Sequence, residues 1–429
     1  MIKDKQKILF IGAGGGREHA LAWKIAHSPY TGELFFARGN AGTAQLGTNL
    51  DIKETDSPKL LEFAKKEGID LVLVISDDPL SIGMVDDFEK EGFRVWGPSK
   101  QASKLEWSKA FSKDFMQRHN LPTASFKIFT DFEEAKTYIE NHPLPIVVKA
   151  SGLALGKGVI IAQTKDEALK ATEDMMVKKV FGQAGAEVVI EEFMEGPEVS
   201  IHIFSDGTNY KLFPPSQDHK KIGEGDLGLN TGGVGTIAPL PFLDESTMKQ
   251  IEEEIVIPTM AGLKKDGLPF VGILYPGLML TSKGPRLLEF NARFGDPETE
   301  VYMRLLETDL LEIIDASIDG RLNEVNIIWG SDFACNIVLV SGGYPENYEK
   351  GKIIEGIENA EKIKDVVVFH AGTKLENNKV LTNGGRVLGI SATGDTLESA
   401  LATAYKAIES ITFEKMEYRK DIGKKALNL

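Results

Sequence analysis

Leu287-Leu288-Glu289-Phe290-Asn291-Ala292-Arg293-Phe294-Gly295-Asp296-Pro297-Glu298 begins as an apolar run and then carries polar groups at alternate positions. On a strand, residues two apart share a face. Glu289 and Asn291 therefore point one way, while Phe290 turns back into a core. A carboxylate and an amide oxygen side by side are hard ligands, suited to a Mg²⁺ ion that also holds phosphate oxygens. Arg293 has the same parity and can face an anion beside that metal; Gly295-Asp296-Pro297 then breaks the strand. A strand end with solvated polar residues shows the same alternation. The rest of the chain has to decide between the two.

A length of 429 residues implies about three domains. The 42% hydrophobic share is that of a soluble globular protein with an ample core. No apolar run reaches the length of a membrane span. The charged amino terminus leads directly into a strand, so no signal peptide is expected. A single cysteine, Cys335 in an apolar run, fits a reducing cytoplasm. The net charge of −15 argues against a nucleic-acid binder, so an anionic substrate must be held by local cations and backbone amides. The seven histidines include no pair at zinc-ligand spacing.

The first 100 residues alternate strand and helix patterns: strands near 7–11, 34–37, 71–75 and 94–96, helices at 17–26, 58–67 and 82–91. That alternation predicts a parallel, Rossmann-like sheet whose ligands sit at the carboxyl ends of its strands. Three loops occupy those ends: Gly12–Gly16, Gly39–Thr43 and Ser76–Pro79. The first, a glycine turn opening a helix, suits a phosphate. As a dinucleotide fingerprint it is poor, because Arg17 stands where the third glycine belongs.

A helix is predicted over 104–119, with Lys109 and Lys113 one turn apart; charged positions of this kind usually form a solvated face. The buried run 145–150 ends in Lys149, a glycine loop (Gly152, Gly156, Lys157, Gly158) follows, and the strand 159–162 returns. This hairpin can close over phosphates, although it lacks Walker A spacing. The strand 187–192 leads through Glu191 and Phe193 to Glu198, which opens a strand running through 204. The segment 214–241 has little periodicity and many glycines, and it holds Asp218 and His219. Loops this long are usually functional; for His219, partners among loop carbonyls compete with a role as base. A helix over 245–265 and a strand over 271–280 lead back to the opening stretch, and past 325 short strands and a helix (397–411) suggest a small α+β domain. The closing 418–423 reads as a polar cap.

A strand ending in lysine, a glycine lid, an acidic hinge and a Glu-x-Asn strand together describe an ATP site between two sheets. Their order resembles the ATP-grasp superfamily and, within it, the glycinamide ribonucleotide synthetases. The residues that carry the resemblance run from Gly15-Gly16-Arg17-Glu18-His19, Gly39-Asn40-Ala41-Gly42-Thr43 and Ser108-Lys109-Ala110-Phe111 through Gly156-Lys157-Gly158, Ser216-Gln217-Asp218-His219-Lys220 and Asn230-Thr231-Gly232-Gly233. It continues through 288–298 to Phe369–Thr373, Asn383–Val387 and Arg419–Gly423.

The resemblance implies an N-terminal substrate-binding domain (1–103), an ATP-grasp domain (104–325, lid about 125–192) and a C-terminal α+β domain (326–429). It implies ATP-dependent joining of glycine to 5-phosphoribosylamine, in the cytoplasm, by a monomer or weak homodimer. Lys109 and Lys149 would hold ATP phosphates under the lid formed by Gly152, Gly156, Lys157 and Gly158. Glu191 and Phe193 would line the adenine hinge and Glu198 the ribose. Glu289 and Asn291 would bind Mg²⁺ or Mn²⁺. Catalysis would fall to Lys149, Arg293 and Asp218. Gly14, Gly15, Gly16, Arg17, Glu18, His19, Asn40, Gly42, Thr43, Asp77, Asp218 and Arg293 would surround glycine and the amine.

Two departures from the family pattern fall where the amine would bind: one extra glycine in the first turn, and Ser76-Asp77 where the family has Pro-Glu. Ser151 replaces an Asp, Leu229 and Val234 replace Pro and Met, and the strand 271–280 carries no acid. These departures keep open a ligase with a different amine acceptor. A nucleotide sensor without catalysis would lack a metal ligand or phosphate lysine, and a dehydrogenase would bind NADH.

Overall fold

The computed structural model describes residues 2–154 and 158–428. Gly156 and Lys157 of the lid therefore lie outside the described residues. The amino-terminal sheet is fully parallel, in the order Thr48–Asn49, Thr31–Ala37, Gln6–Ile11, Leu71–Val74, Val95–Trp96. Strand order reverses beside Gln6–Ile11, so the crevice opens at the carboxyl ends of Gln6–Ile11 and Leu71–Val74. The turn at Gly12–Gly16 and the stretch from Ile75 to Asp77 meet there. Residues 76–79, expected as a loop, instead open the helix Asp77–Ile82; Gly83, at φ 93°, separates it from Met84–Lys90.

The lid is a four-stranded antiparallel sheet in the order Phe126–Phe129, Val188–Glu192, Ile146–Ala150, Val159–Ala162. Opposite it, the long strand Val271–Thr281 pairs along one edge with Gly284–Asn291 and along the other with Glu198–Ser200 and Ile203–Asp206. The run expected as one strand over 198–204 is broken at Ile201-His202, where the His202 ring stacks on Tyr275 with centroids 4.0 Å apart. A register shift in the Val271–Thr281/Gly284–Asn291 pair buries Leu287 and Phe290 and leaves Glu289 and Asn291 on the crevice side.

The helix expected over 104–119 is two: Lys104–Trp107 and Lys109–Arg118. Ser108 breaks the run because its hydroxyl accepts the Phe111 N–H as an N-cap. The break redirects Lys109 and Lys113 toward the lid. Ser108→Ala should cost about 1 kcal/mol of stability, checked by urea unfolding; an unchanged midpoint would remove the cap from this account. The helix over 245–265 contains a π-turn, Glu252–Val256.

The segment 214–241 is not structureless. Lys221–Gly223 and Leu227–Asn230 form a hairpin, while Gln217–Asp218 and Gly235–Ala238 join the carboxy-terminal sheet. That sheet runs Gln217–Asp218, Gly235–Ala238, Phe333–Ser341, Arg386–Gly394, Val366–His370, and the helix Leu397–Ile408 packs on it. One apolar core runs through the central and last regions, from Phe115, Leu287 and Phe290 to Ile337, Leu388 and Leu401. A second joins the first sheet (Phe10, Phe36, Leu73) to Tyr302, Met303 and Leu310. No helix among the described residues is long and apolar enough to cross a membrane.

Candidate active site

Lys149 ends the buried strand Ile146–Ala150, and its Nζ lies 3.0 Å from Glu191 Oε2. Lys113 Nζ reaches the same oxygen at 3.2 Å and donates to Thr123 Oγ1 at 2.8 Å. Glu191 was expected at the adenine hinge. Its side chain instead turns inward between these two ammonium groups, while its Oε1 is buried with no partner among the described residues. Lys109 Nζ stands 3.4 Å from the Gly152 carbonyl, and the Lys109 N–H donates to Ser151 O at 2.7 Å. The beginning of the lid loop is thus tied to the first turn of the Lys109–Arg118 helix. Gly152 and Gly158 are sites of close approach, against Ala184 and Ala154 respectively. Phe193 is half-buried just beyond the strand, and Glu198 pairs with Lys220 at 3.0 Å.

Glu289 faces all of these cations. Burial would push its carboxyl up, but Lys220, Lys149, Lys109 and Arg293 together hold it below the ordinary range. Asn291 Oδ1 lies on the same face and accepts from Arg293 Nη2 at 3.1 Å. An ionised carboxylate beside an amide oxygen fits a hard divalent cation that takes its remaining ligands from phosphates and water. Consistent with so sparse a donor set, no group of three or more His, Cys, Asp or Glu gathers as a metal cage among the described residues.

Arg293 is held by Glu106, whose Oε1 lies 2.8 Å from Nη2 and whose Oε2 accepts the Ala292 N–H at 2.8 Å. The Arg293 Nε is buried with no partner. Behind it lies a polar network. The Gly295 N–H donates to His202 Nε2 at 3.1 Å, which places the ring proton on Nδ1. That proton faces Tyr302 Oη at 3.0 Å, and the Tyr302 hydroxyl donates to Ser216 Oγ at 2.7 Å. Glu298 accepts from Tyr275 Oη at 2.6 Å and Ser200 Oγ at 3.0 Å. Asp218 is pushed well above the ordinary carboxylate range, first by burial and then by Glu298. Its Oδ1 is buried without a partner.

The first glycine turn packs against these groups. Gly14 adopts φ 73°, and a Cβ on Gly15 would lie 3.1 Å from Asp296 Oδ2. A Cβ on Gly16 would run into Glu300 Oε1, so the turn needs residues without side chains here. Glu300 itself is raised well above its usual range by burial and by Asp296. The Gly15 N–H, expected to be free for a phosphate, is taken by Glu18 Oε2 at 2.7 Å. Glu18 also pairs with Arg17 at 3.1 Å, and Arg17 donates to Phe294 O at 3.0 Å. Asp77, in the first turn of its helix, adds to the field that raises both Arg17 and Arg293.

Asn40, Gly42, Thr43 and His19 form a strut more than an open pocket. The Asn40 amide donates to Gly14 O and His370 O and accepts from the Gly42 and Thr43 N–H groups. His19 Nδ1 accepts the His370 N–H at 2.9 Å, which ties the first domain to the last. His219 accepts the Gly423 N–H on Nε2 and donates from Nδ1 to Gly235 O, so both ring nitrogens are taken and it is no base. Arg419, expected in a simple terminal cap, is buried against Asp226 and Asp421 at 2.8 Å each.

Burial holds His19 down to about 3, with His370 adding to it, and His370 down to about 4. Burial and Arg419 hold His219 down to about 4. Each is neutral in the fold and gains a proton near pH 6.5 once unfolded. Their stabilisation is complete above that pH and drains away as pH falls toward 4. Between pH 7.5 and 5 the unfolding free energy should fall by about 2 kcal/mol per histidine. Urea titrations at the two pH values measure this, and equal midpoints would contradict it.

The sequence pattern gave no role to Lys113, Glu106, Lys220, Tyr275, His202 and Glu298. Lys113 had a signal in its helical spacing from Lys109, and Lys220 and Glu298 stood within quoted motifs; the others were lone polar residues.

Residues 6–106 match the family described as phosphoribosylglycinamide synthetase, N domain. Residues 107–299 match its ATP-grasp (A) domain and 334–425 its C domain. A phosphoribosylamine–glycine ligase of Chlorobaculum tepidum is 45% identical over 98% of this chain and 100% of that protein. A bifunctional purine biosynthetic protein of Schizosaccharomyces pombe is 46% identical over 98% of this chain, which spans only 54% of that longer protein. The crystal structure of a phosphoribosylamine–glycine ligase from Thermotoga maritima superposes with a TM-score of 0.84 at 34% identity, covering 97% of this chain and 99% of that one.

Proposed function

Because the chain belongs to the phosphoribosylglycinamide synthetase family, we propose that it joins glycine to 5-phosphoribosylamine with ATP, as an early step of purine synthesis. The observation that carries this reading is the convergence of Lys109, Lys149, Lys220 and Arg293 on Glu289. Four cations around one carboxylate make a site for a triphosphate with a divalent ion.

The reaction needs an activated carboxyl group, since carboxylate oxygen is a poor leaving group. Lys149 and Lys109 orient the γ-phosphoryl group, and glycine's carboxylate attacks it to give glycyl phosphate and ADP. Such a transfer is mainly a matter of positioning and charge neutralisation. Glu289 and Asn291 would hold Mg²⁺ or Mn²⁺, which supplies further neutralisation of phosphate charge. Arg293, fixed by Glu106, steadies the acyl phosphate. The amine of phosphoribosylamine then attacks the acyl carbon and phosphate departs. Asp218 in its ionised form takes the ammonium proton, and burial beside Glu298 raises its affinity for that proton. The lid sheet, whose strands Ile146–Ala150 and Val159–Ala162 lead to Gly152 and Gly158, keeps water from the intermediate. Phe193 borders the adenine, Glu198 the ribose, and the turn of Gly14 to His19 with Asn40, Gly42, Thr43 and Asp77 borders the amine substrate.

In this reading residues 1–103 serve the amine, 104–325 the nucleotide and 326–429 close the site, in a cytoplasmic monomer or weak homodimer. The test is glycine-dependent ADP formation with and without freshly generated phosphoribosylamine. Stimulation by that amine is expected; stimulation only by other amines would replace the acceptor.

A further inference from the structure

Lys113 takes no part in the reaction as described, yet its ammonium is buried in the nucleotide crevice. It sits on the second turn of Lys109–Arg118 with its side chain 3% exposed. Its neighbours are Glu191 Oε2 at 3.2 Å, Thr123 Oγ1 at 2.8 Å and the ring of Phe126 at 5.7 Å. Thr123 in turn donates to Leu287 O at 2.6 Å, which anchors the arrangement to the strand that carries Glu289. Lys149 shares the same carboxylate oxygen at 3.0 Å.

With Lys149 alone, Glu191 would form a closed ion pair of zero net charge. The Lys149 ammonium would then be spent on its neighbour and little field would remain for a triphosphate. A second ammonium changes the balance: two cations on one carboxylate leave one net positive charge in a water-poor crevice, where it acts strongly. We propose that Lys113 is a positioning residue for nucleotide binding, compensating Glu191 so that Lys149 stays available to phosphate. This inference rests on the ATP reading of the crevice and adds to it the residue that sets its charge.

Burial lowers the Lys113 ammonium to about 8, with Glu191 opposing the shift and Lys149 adding to it. The charged groups facing it are Glu191 and Lys149 on the lid strands and, farther off, Glu289 on the opposite sheet. As pH rises through about 8, Lys113 loses its proton and the crevice its surplus charge. An arginine, charged at every accessible pH, keeps it.

The experiment is equilibrium binding of the non-hydrolysable analogue adenylyl imidodiphosphate, with thermal unfolding as a check on the fold. Lys113→Met should weaken binding about tenfold or more, while a free glycine-site function would leave it unmoved. Lys113→Met combined with Glu191→Gln should bind more tightly than Lys113→Met alone, because the uncompensated carboxylate is gone. Wild-type affinity should decline from pH 7 to 9, and that of Lys113→Arg should stay flat. Wild-type affinity in Lys113→Met, or a double variant no better than the single, would overturn the proposal while leaving the ATP reading in place. A wild-type protein that does not bind the analogue at all would remove both.

Discussion

Glu289→Ala should lower metal-dependent turnover by about 10³-fold or more, since losing a metal's charge stabilisation costs several kcal/mol of barrier. The side chain is the carboxylate toward which Lys109, Lys149, Lys220 and Arg293 are all arranged. Removing it takes away a hard ligand and also leaves four cations facing one another. Binding of the bare nucleotide should therefore survive, or even tighten, while the dependence on Mg²⁺ or Mn²⁺ disappears. The substitution lies on a strand whose buried residues are Pro285, Leu287 and Phe290, so the fold should hold. Turnover against Mg²⁺ concentration, with Mn²⁺ binding followed by electron paramagnetic resonance, measures the outcome. Wild-type rates with an unchanged metal dependence would remove Glu289 and Asn291 from the metal site.

Arg293→Ala should have the second largest effect, and on two quantities at once. Glu106 is buried and paired to Arg293 at 2.8 Å, so the variant leaves its carboxylate uncompensated. Breaking a buried pair from one side typically costs about 3–5 kcal/mol. Burial already raises Glu106, and losing the guanidinium that opposes this shift should raise it further. Turnover should fall as well, because the proposed reaction uses the guanidinium beside Asn291 to steady the acyl phosphate. Arg293→Lys should recover little, since one ammonium cannot reproduce the planar fork whose Nη2 meets Glu106 and Asn291 while Nη1 donates to Phe294 O. The combination Arg293→Ala with Glu106→Gln should regain stability but not rate. If stability and rate return together, the arginine acts only through packing.

Much of this arrangement is legible in the chain. Alternating strand and helix patterns predict the parallel sheet, and the lysine-ended strand with its glycine loop predicts the lid hairpin. The Glu-x-Asn spacing places Glu289 and Asn291 on one face, and the register shift keeps them there. Other features depend on contacts between distant segments, which no local pattern encodes. Lys113 occupies a helix position that reads as solvated, and only the lid folding over it brings Glu191 within reach. Ser108 is unremarkable in a helical run until its hydroxyl finds Phe111 N–H. Gly235–Ala238 has too few residues for periodicity, and its partner, Phe333–Ser341, lies about a hundred positions away. Glu106 and Glu298 are single acids whose roles come from Arg293 on one side and from Tyr275 and Ser200 on the other. The first turn departs furthest from expectation, because Glu18 fills the amide that seemed ready for a ligand.

The ladder from Gln217–Asp218 through Gly235–Ala238 to Phe333–Ser341 stitches a central segment into the last region of the chain. Asp218 is thereby mounted on a scaffold whose central plank, Phe333–Ser341, is translated more than a hundred residues later. A ribosome-bound precursor has its nucleotide half spelled out long before this acid has a wall to stand against. Nor can recombination trade the closing segment as a cassette, for any crossover between residues 238 and 333 would cut the hydrogen-bonded seam that carries Asp218.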